Sequence, residues 1–220
     1  MPTPTMSSAS CSDDIYALIA EGEHQQQDFK FEISSACKIA RTLSAFANTD
    51  GGRLLIGVKD NGAIAGVRSD EEMYMVEAAG EVYCQPPVHP RMTGYRVEGK
   101  TIVIAQTDPT MVRPVRARLD DGTYRAFVRI ADENIVAPPV QMALWRFEAE
   151  DGGELVCFSD EERRLLQLLT SSDGVTLSQF CRRGHLPRQR AVRLLAQFIR
   201  FGLARQDFRG HQFIYSGVNP

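Results

Sequence analysis

The twenty-one residues from Phe46 to Gly66, reading F-A-N-T-D-G-G-R-L-L-I-G-V-K-D-N-G-A-I-A-G, must end a helix, turn, and lay down strand structure within one short segment. Ala36, Ile39, Ala40, Leu43, Phe46 and Ala47 recur at helical spacing, with Lys38, Arg41 and Ser44 between them. That spacing predicts a helix with one buried face. Asn48 and the pair Gly51, Gly52 stop it, because glycine takes the left-handed backbone of a helix C-terminus without a Cβ clash. Leu54 to Val58 is apolar on consecutive residues, the pattern of a central strand covered on both faces. Asn61-Gly62 predicts a type I′ turn, where both central residues need positive φ, with Ala63 to Val67 pairing back.

The rest of the large N-terminal part is read around this hairpin. Met1 to Ser12 has no periodicity and reads as a flexible start. Ser12 or Asp13 caps a short helix carrying Ile15, Leu18 and Ile19, which Gly22 ends. Gln27 to Phe31 is the first strand. Asp70, Glu71 and Glu72 open a helix whose dipole they complement, running to about Cys84. Arg91 to Val97 and Thr101 to Gln106 form a hairpin around Glu98-Gly99-Lys100, making a sheet of five strands. Val115 to Leu119 and Thr123 to Ile130 form another. With Asp121-Gly122 as a two-residue turn, Arg118 lies opposite Arg125 and Arg116 opposite Phe127, with Arg129 joining the same face. Facing arginines repel unless water screens them or an anion lies between them, so this stripe is either a solvated face or a secondary phosphate-binding surface. Pro138 to Phe147 is a helix carrying Trp145, read as a core plug. Glu148 to Glu154 is acidic and contains Gly152-Gly153, and residues 148–157 read as a linker.

The Phe46–Gly66 stretch, with its N-T-x-G-G turn and L-L-I-G-V-x-D-x-G, resembles the Schlafen AlbA-type domain, a family also described as divergent AAA-type and DNA-binding. Glu23 to Lys30, E-H-Q-Q-Q-D-F-K, is similar to that family's E-x(4)-E-F-K strand, with Asp28 where glutamate is usual. Tyr124 to Ala137, Y-R-A-F-V-R-I-A-D-E-N-I-V-A, is similar to its closing strand, with Ala131-Asp132 replacing Gly-Ser. The resemblance implies an α+β fold, a mixed sheet with flanking helices, over residues 13–147. Some members are endoribonucleases whose carboxylates bind a divalent metal, which by resemblance places Glu23, Asp28 and Asp60 as catalytic ligands of Mg²⁺ or Mn²⁺. Asp28 would withdraw its ligand atom by about 1.5 Å, against metal bonds of about 2.0–2.1 Å. Outside that alternative no metal or cofactor is expected.

Other chemistry lacks its signature. No G-x-x-x-x-G-K-[ST] loop and no G-x-S-x-G elbow occurs, and His24, His89, His185 and His211 have no recognisable catalytic partners. Five cysteines at long spacings, with no C-x-x-C, fit neither structural zinc nor a disulfide framework. Hydrophobic content of 43% suffices for a globular core, no apolar run reaches the eighteen or so residues of a membrane span, and a cytoplasmic protein without membrane contact is expected.

Charge is uneven. Residues 1–157 carry 15 Lys and Arg against 23 Asp and Glu, giving −8, whereas residues 158–220 carry 10 Arg against 5 acids, giving +5. Within that basic segment Ser159 with Glu162 forms a capping box, and Leu165, Leu166, Leu168 and Leu169 form the buried side of the helix that follows. Thr176 with Gln179 forms a second box. Pro187 suits the first position of a third helix, which Gly202 ends. Ala191, Val192, Leu195, Phe198 and Ile199 lie on its apolar side, and Arg190, Arg193, Gln197 and Arg200 line the other. Leu203 to Gln206 and Gln212 to Ser216 bracket a basic hairpin. This order over residues 158–217 resembles a winged helix-turn-helix. The third helix would enter the major groove, with Arg188, Arg190, Arg193, Gln197 and Arg200 at the bases and Arg209 and His211 on phosphates. The sequence therefore reads as a DNA-binding transcriptional regulator. Duplex DNA is the partner, RNA and a homo-oligomer are left open, and a metal-dependent nuclease is the alternative. An exposed Leu194 and Phe201 would instead favour protein docking.

Overall fold

The computed structural model describes residues 5–7, 12–150, 158–170 and 173–218. The chain divides into two compact units, Met1–Val136 and Ala137–Pro220. Among the described residues no helix is long and apolar enough to cross a membrane.

In chain order the first unit comprises β1 Thr5–Ser7, α1 Ser12–Glu21, β2 Gln27–Lys30, α2 Ala36–Asn48, β3 Gly52–Ile56, α3 Glu71–Glu81, β4 Cys84–Gln85, β5 Arg91–Val97, β6 Lys100–Thr107, β7 Arg116–Arg118, β8 Tyr124–Ile130 and β9 Glu133–Val136. It is the expected mixed α+β architecture. A five-stranded sheet has the order β1-β5-β6-β3-β2, and a smaller one the order β4-β7-β8-β9. Strand β3 is central as its apolar run predicts, parallel to β2 and antiparallel to β6. Because both its edges are taken, Ala63 to Val67 cannot add a strand and contributes only the bridge Val58 to Ile64. The fifth strand is instead β1, parallel to β5, within the segment read as a flexible start. Residues 1–4 and 8–11 of that segment lie outside the described residues. The Asn61-Gly62 turn also differs from type I′. Only Gly62 has positive φ, and Lys59 pairs with Ala63 around a three-residue loop.

Helix α2 organises the unit more thoroughly than one buried face would allow. It packs against α3 and, on another side, against β7 and β8. Its core joins Ile39, Ala40 and Leu43 to Leu54, Ile56, Val103 and Ala105 of the large sheet and to Ala117 and Phe127 of the small one. Ser44, expected between the apolar positions, is therefore buried, donating to Val115 O at 2.9 Å and accepting from Phe127 N at 3.2 Å. Asn48 does likewise, its amide donating to the carbonyls of Val115 and Phe127 and accepting from Val115 N. These bonds satisfy buried backbone groups of the small sheet. Gly51 then turns the chain at φ +72°, and a Cβ on Gly52 would stand 2.5 Å from the Phe46 ring. The other face of the large sheet buries Phe29, Leu55, Ile102 and Ile104 with Ile15 of α1.

The second unit contains α4 Pro139–Ala149, α5 Asp160–Thr170, α6 Leu177–Arg183, α7 Arg188–Arg200 and the hairpin β10 Ala204–Arg209 with β11 Gln212–Gly217. Helix α4 belongs here and not with the first 136 residues. Val140, Ala143, Leu144 and Phe147 recur at helical spacing and join the core built by α5, α6 and α7. Trp145 is buried. Of the expected linker, 148–149 complete α4, whereas 151–157, including Gly152-Gly153, lie outside the described residues. Both capping boxes form, Ser159 with Glu162 and Thr176 with Gln179. Pro187 occupies the N-cap of α7, one position earlier than expected. Val175 bridges Tyr215, tying the start of α6 to the hairpin. Cys37, Cys84 and Cys181 are free thiols, and burial pushes Cys84 up to about 12.

Candidate functional site

Helix α7 has two unlike sides because its apolar residues recur every three or four positions. Ala191, Leu194, Leu195, Ala196 and Phe198 are buried, while Arg190, Arg193 and Arg200 are exposed and Gln197 is half-buried among them. Leu194 thus lies inside, removing half of the expected docking surface. Phe201 is 41% exposed and meets Phe158 edge-on. Arg190 is already engaged, its Nη2 lying 2.7 Å from Glu161 Oε2 on α5. Arg193 and Arg200 form no ion pair among the described residues. Arg188 departs from this group. It precedes Arg190 by two positions, about 200° around the helix, and its charge opposes the burial that drives the Tyr215 hydroxyl upward.

The hairpin is tight because Gly210 (φ +55°) and His211 (φ +57°) both take left-handed backbone, with Arg209 paired to Gln212. His211 stands edge-on to Phe208 at 6.3 Å, and Phe208 packs on Phe213 at 5.0 Å. Asp207 lies between two arginines, 2.9 Å from Arg209 and 3.4 Å from Arg205. Sequence reasoning missed both Asp207 and Glu161 as neutralising partners, because neither is a fixed helical step from the arginine it meets.

The expected arginine stripe does not form. Leu119 donates to Thr123, so the β7–β8 loop has three residues and the register shifts by one. Arg116 and Arg118 face Ala126 and Tyr124, while Ala117 faces Arg125. Directly opposed residues share a sheet face, so Arg125 lies on the opposite face from Arg116 and Arg118. Arg129, on the face of Arg125, is only 1% exposed. Its guanidinium donates to the carbonyls of His24 and Gln27, to Asn134 Oδ1 at 3.0 Å and to Asp28 Oδ1 at 3.3 Å, over the Phe46 ring. It is a buried clamp between β8 and β2.

Glu23 and Asp28 do come together. Glu23 accepts from Phe29 N at 2.8 Å, and burial together with the adjoining Asp28 carboxyl pushes it above the usual glutamate range, partly offset by that amide bond. Asp28 is 4% exposed, held by Arg129 on one oxygen and lying 2.9 Å from Lys30 Nζ on the other, outside hydrogen-bond geometry. Asp60 is exposed in the loop after Lys59 and does not join them, and among the described residues no three His, Cys, Asp or Glu side chains gather as metal ligands. Two carboxylates, one committed to a buried arginine, do not fit the three-ligand metal site that the resemblance implied. The glutamines between them have structural tasks. Gln25 bonds Arg129 O, Asp50 and Ala131 N, Gln26 bonds Asp50 O, and Gln27 reaches Leu18 O and Gly22 O.

Among solved structures, the DIP2311 protein of Corynebacterium diphtheriae is similar with a TM-score of 0.51 at 16% identity, over 93% of this chain and 38% of that one. The N-terminal domain of an ATP-dependent DNA helicase RecG-related protein from Nitrosomonas europaea is similar over 70% of this chain and 97% of its own, at 19% identity and a TM-score of 0.42. The chain thus spans well under half the length of the first. At these identities the likeness to DIP2311 is one of fold. No curated protein matches the chain. The family described as Schlafen, AlbA_2 matches residues 23–138, more than half of the chain. That span opens at the Glu23–Asp28 pair and closes just past β9, enclosing α2 and both sheets except β1, and the chain belongs to the Schlafen, AlbA_2 family.

Proposed function

We propose that this protein binds duplex DNA and regulates transcription, with the second unit acting as a winged helix-turn-helix. The family points to nucleic acid as the class of ligand. The observation that carries the finer reading is the polar side of α7, where exposed Arg193 and Arg200 and half-buried Gln197 stand opposite a buried apolar face and are followed by a tight hairpin bearing Arg209. An α-helix fits the major groove, and an arginine fork matches two acceptors on guanine. In this reading the hairpin is the part that contacts phosphates beside the groove. Selected-site enrichment on the full chain tests this. Arg193→Ala should change the preferred sequence, because removing a two-pronged hydrogen bond to one base costs about 1–3 kcal/mol, whereas Arg209→Ala should weaken all sequences alike. Retention of the parental preference and affinity by Arg193→Ala and Arg200→Ala would remove α7 as the reader.

A further inference from the structure

We propose that the first unit carries a separate site for single-stranded nucleic acid, with one base entering a cleft beside Arg68 and the adjoining phosphate held by Arg68 and Lys59 above Phe31. This rests on the reading that the chain binds nucleic acid, and adds a second strand state and a second place. Phe31, just after β2, is 36% exposed, and two cations converge on its ring, Lys59 Nζ at 5.2 Å and Arg68 Cζ at 5.2 Å from the centroid. Two like charges over one ring repel. Among the described residues the one carboxylate in an ion pair with either is Glu32, whose Oε2 lies 2.8 Å from Arg68 Nη1. Lys59 forms no ion pair among the described residues, and neither does its neighbour Asp60, so the Lys59 ammonium beside an accessible aromatic is open to an anion.

Arg68 also lines a cleft of about 280 Å³ with Val67, Ser69, Asp70, Met73 and Thr101. That is just below the roughly 300–1,000 Å³ of pockets for drug-sized ligands, the scale of one base. Val67 and Met73 offer apolar contact to a base face, and Ser69, Asp70 and Thr101 offer donors and acceptors to its edge. A duplex keeps base faces stacked and unavailable. Aromatic and cationic side chains placed together are how unpaired strands are held.

Anisotropy titrations of the full chain with short single-stranded RNA, single-stranded DNA and the matching duplex test the site. Phe31→Leu and the double variant Lys59→Gln with Arg68→Gln should each weaken single-strand binding about tenfold and leave duplex binding unchanged. The double variant changes exposed side chains only, so it carries the test if Phe31→Leu melts early. Weakening confined to RNA or to DNA identifies the strand and supports the site. Unchanged single-strand affinity, or equal loss on duplex, overturns it. A parent chain that binds duplex but neither single strand overturns this site alone, whereas one that binds nothing sinks the DNA-binding reading as well.

Discussion

Ala131 shows how one residue can record a compromise. It follows β8 with φ +53°, a left-handed backbone that a Cβ disfavours, at a position where the resembling closing strand usually has glycine. Its amide is held by Gln25 Oε1 at 2.9 Å, which fixes the turn despite the strain. Ala131→Gly should therefore raise unfolding free energy by about 1 kcal/mol, less the entropy glycine adds to the unfolded chain. Urea denaturation checks the sign. Glu23 supplies a second residue-scale prediction. Its folded pKa is raised above 4.5 by burial and by Asp28, so its contribution to stability is present below the ordinary value and lost as pH rises through the raised one. Glu23→Gln cannot ionise and keeps an acceptor for Phe29 N. It should be more stable than the parent at pH 7, with the gap closing toward pH 4.5. A gap that stays constant across that range would show that ionisation of Glu23 is not the cause.

At the scale of elements, the informative prediction concerns where the second unit begins. Helix α4 contributes fully buried Val140 and half-buried Ala143, Leu144 and Phe147 to the same core as Leu169, Leu195 and Phe198. A fragment starting at residue 158 exposes that core, and at about 1.5–3 kcal/mol per fully buried large apolar side chain the deficit is several kcal/mol. Residues 137–220 should unfold cooperatively, while 158–220 should melt far lower or not fold, as heat denaturation followed by circular dichroism would show. The sequence made most helices and the β5–β6 hairpin legible because each carries its own periodicity and punctuation. It misplaced α4 because a stripe of apolar residues says that a helix is buried and not against which neighbour. The β7–β8 register failed for a related reason. A loop of two residues and one of three both use Asp121-Gly122, and that single slip moves Arg125 to the other face from Arg116 and Arg118. Arg129 passes for a surface residue because arginine usually is one, and nothing local announces a partner a hundred residues earlier in Asp28.

On the whole-molecule scale the charge argument narrows. Counted over the unit as folded, Ala137–Pro220 holds 11 Arg against 9 acids, or +2, because Glu148, Glu150, Asp151 and Glu154 belong with it. A general excess of positive charge therefore carries little of the DNA-binding reading, and the placement of each acid carries more. Asp207 is the acid that bears most directly on the hairpin, since it holds both Arg205 and Arg209. Surface pairs of this kind contribute only about 0–1 kcal/mol each to stability. Asp207→Asn should leave the fold intact while releasing two guanidiniums and deleting a charge that repels phosphate. Each phosphate newly neutralised releases counterion and adds about 0.9 to the slope of log affinity against log salt. The variant should bind every duplex more tightly at low salt, with the slope steeper by about one to two phosphates' worth. Its sequence preference should match the parent's, because the hairpin meets backbone while α7 meets bases. Titrations across a salt series, alongside selected-site enrichment, separate these effects. An unchanged slope would mean that the hairpin does not touch DNA, and a changed preference would mean that it reads bases itself.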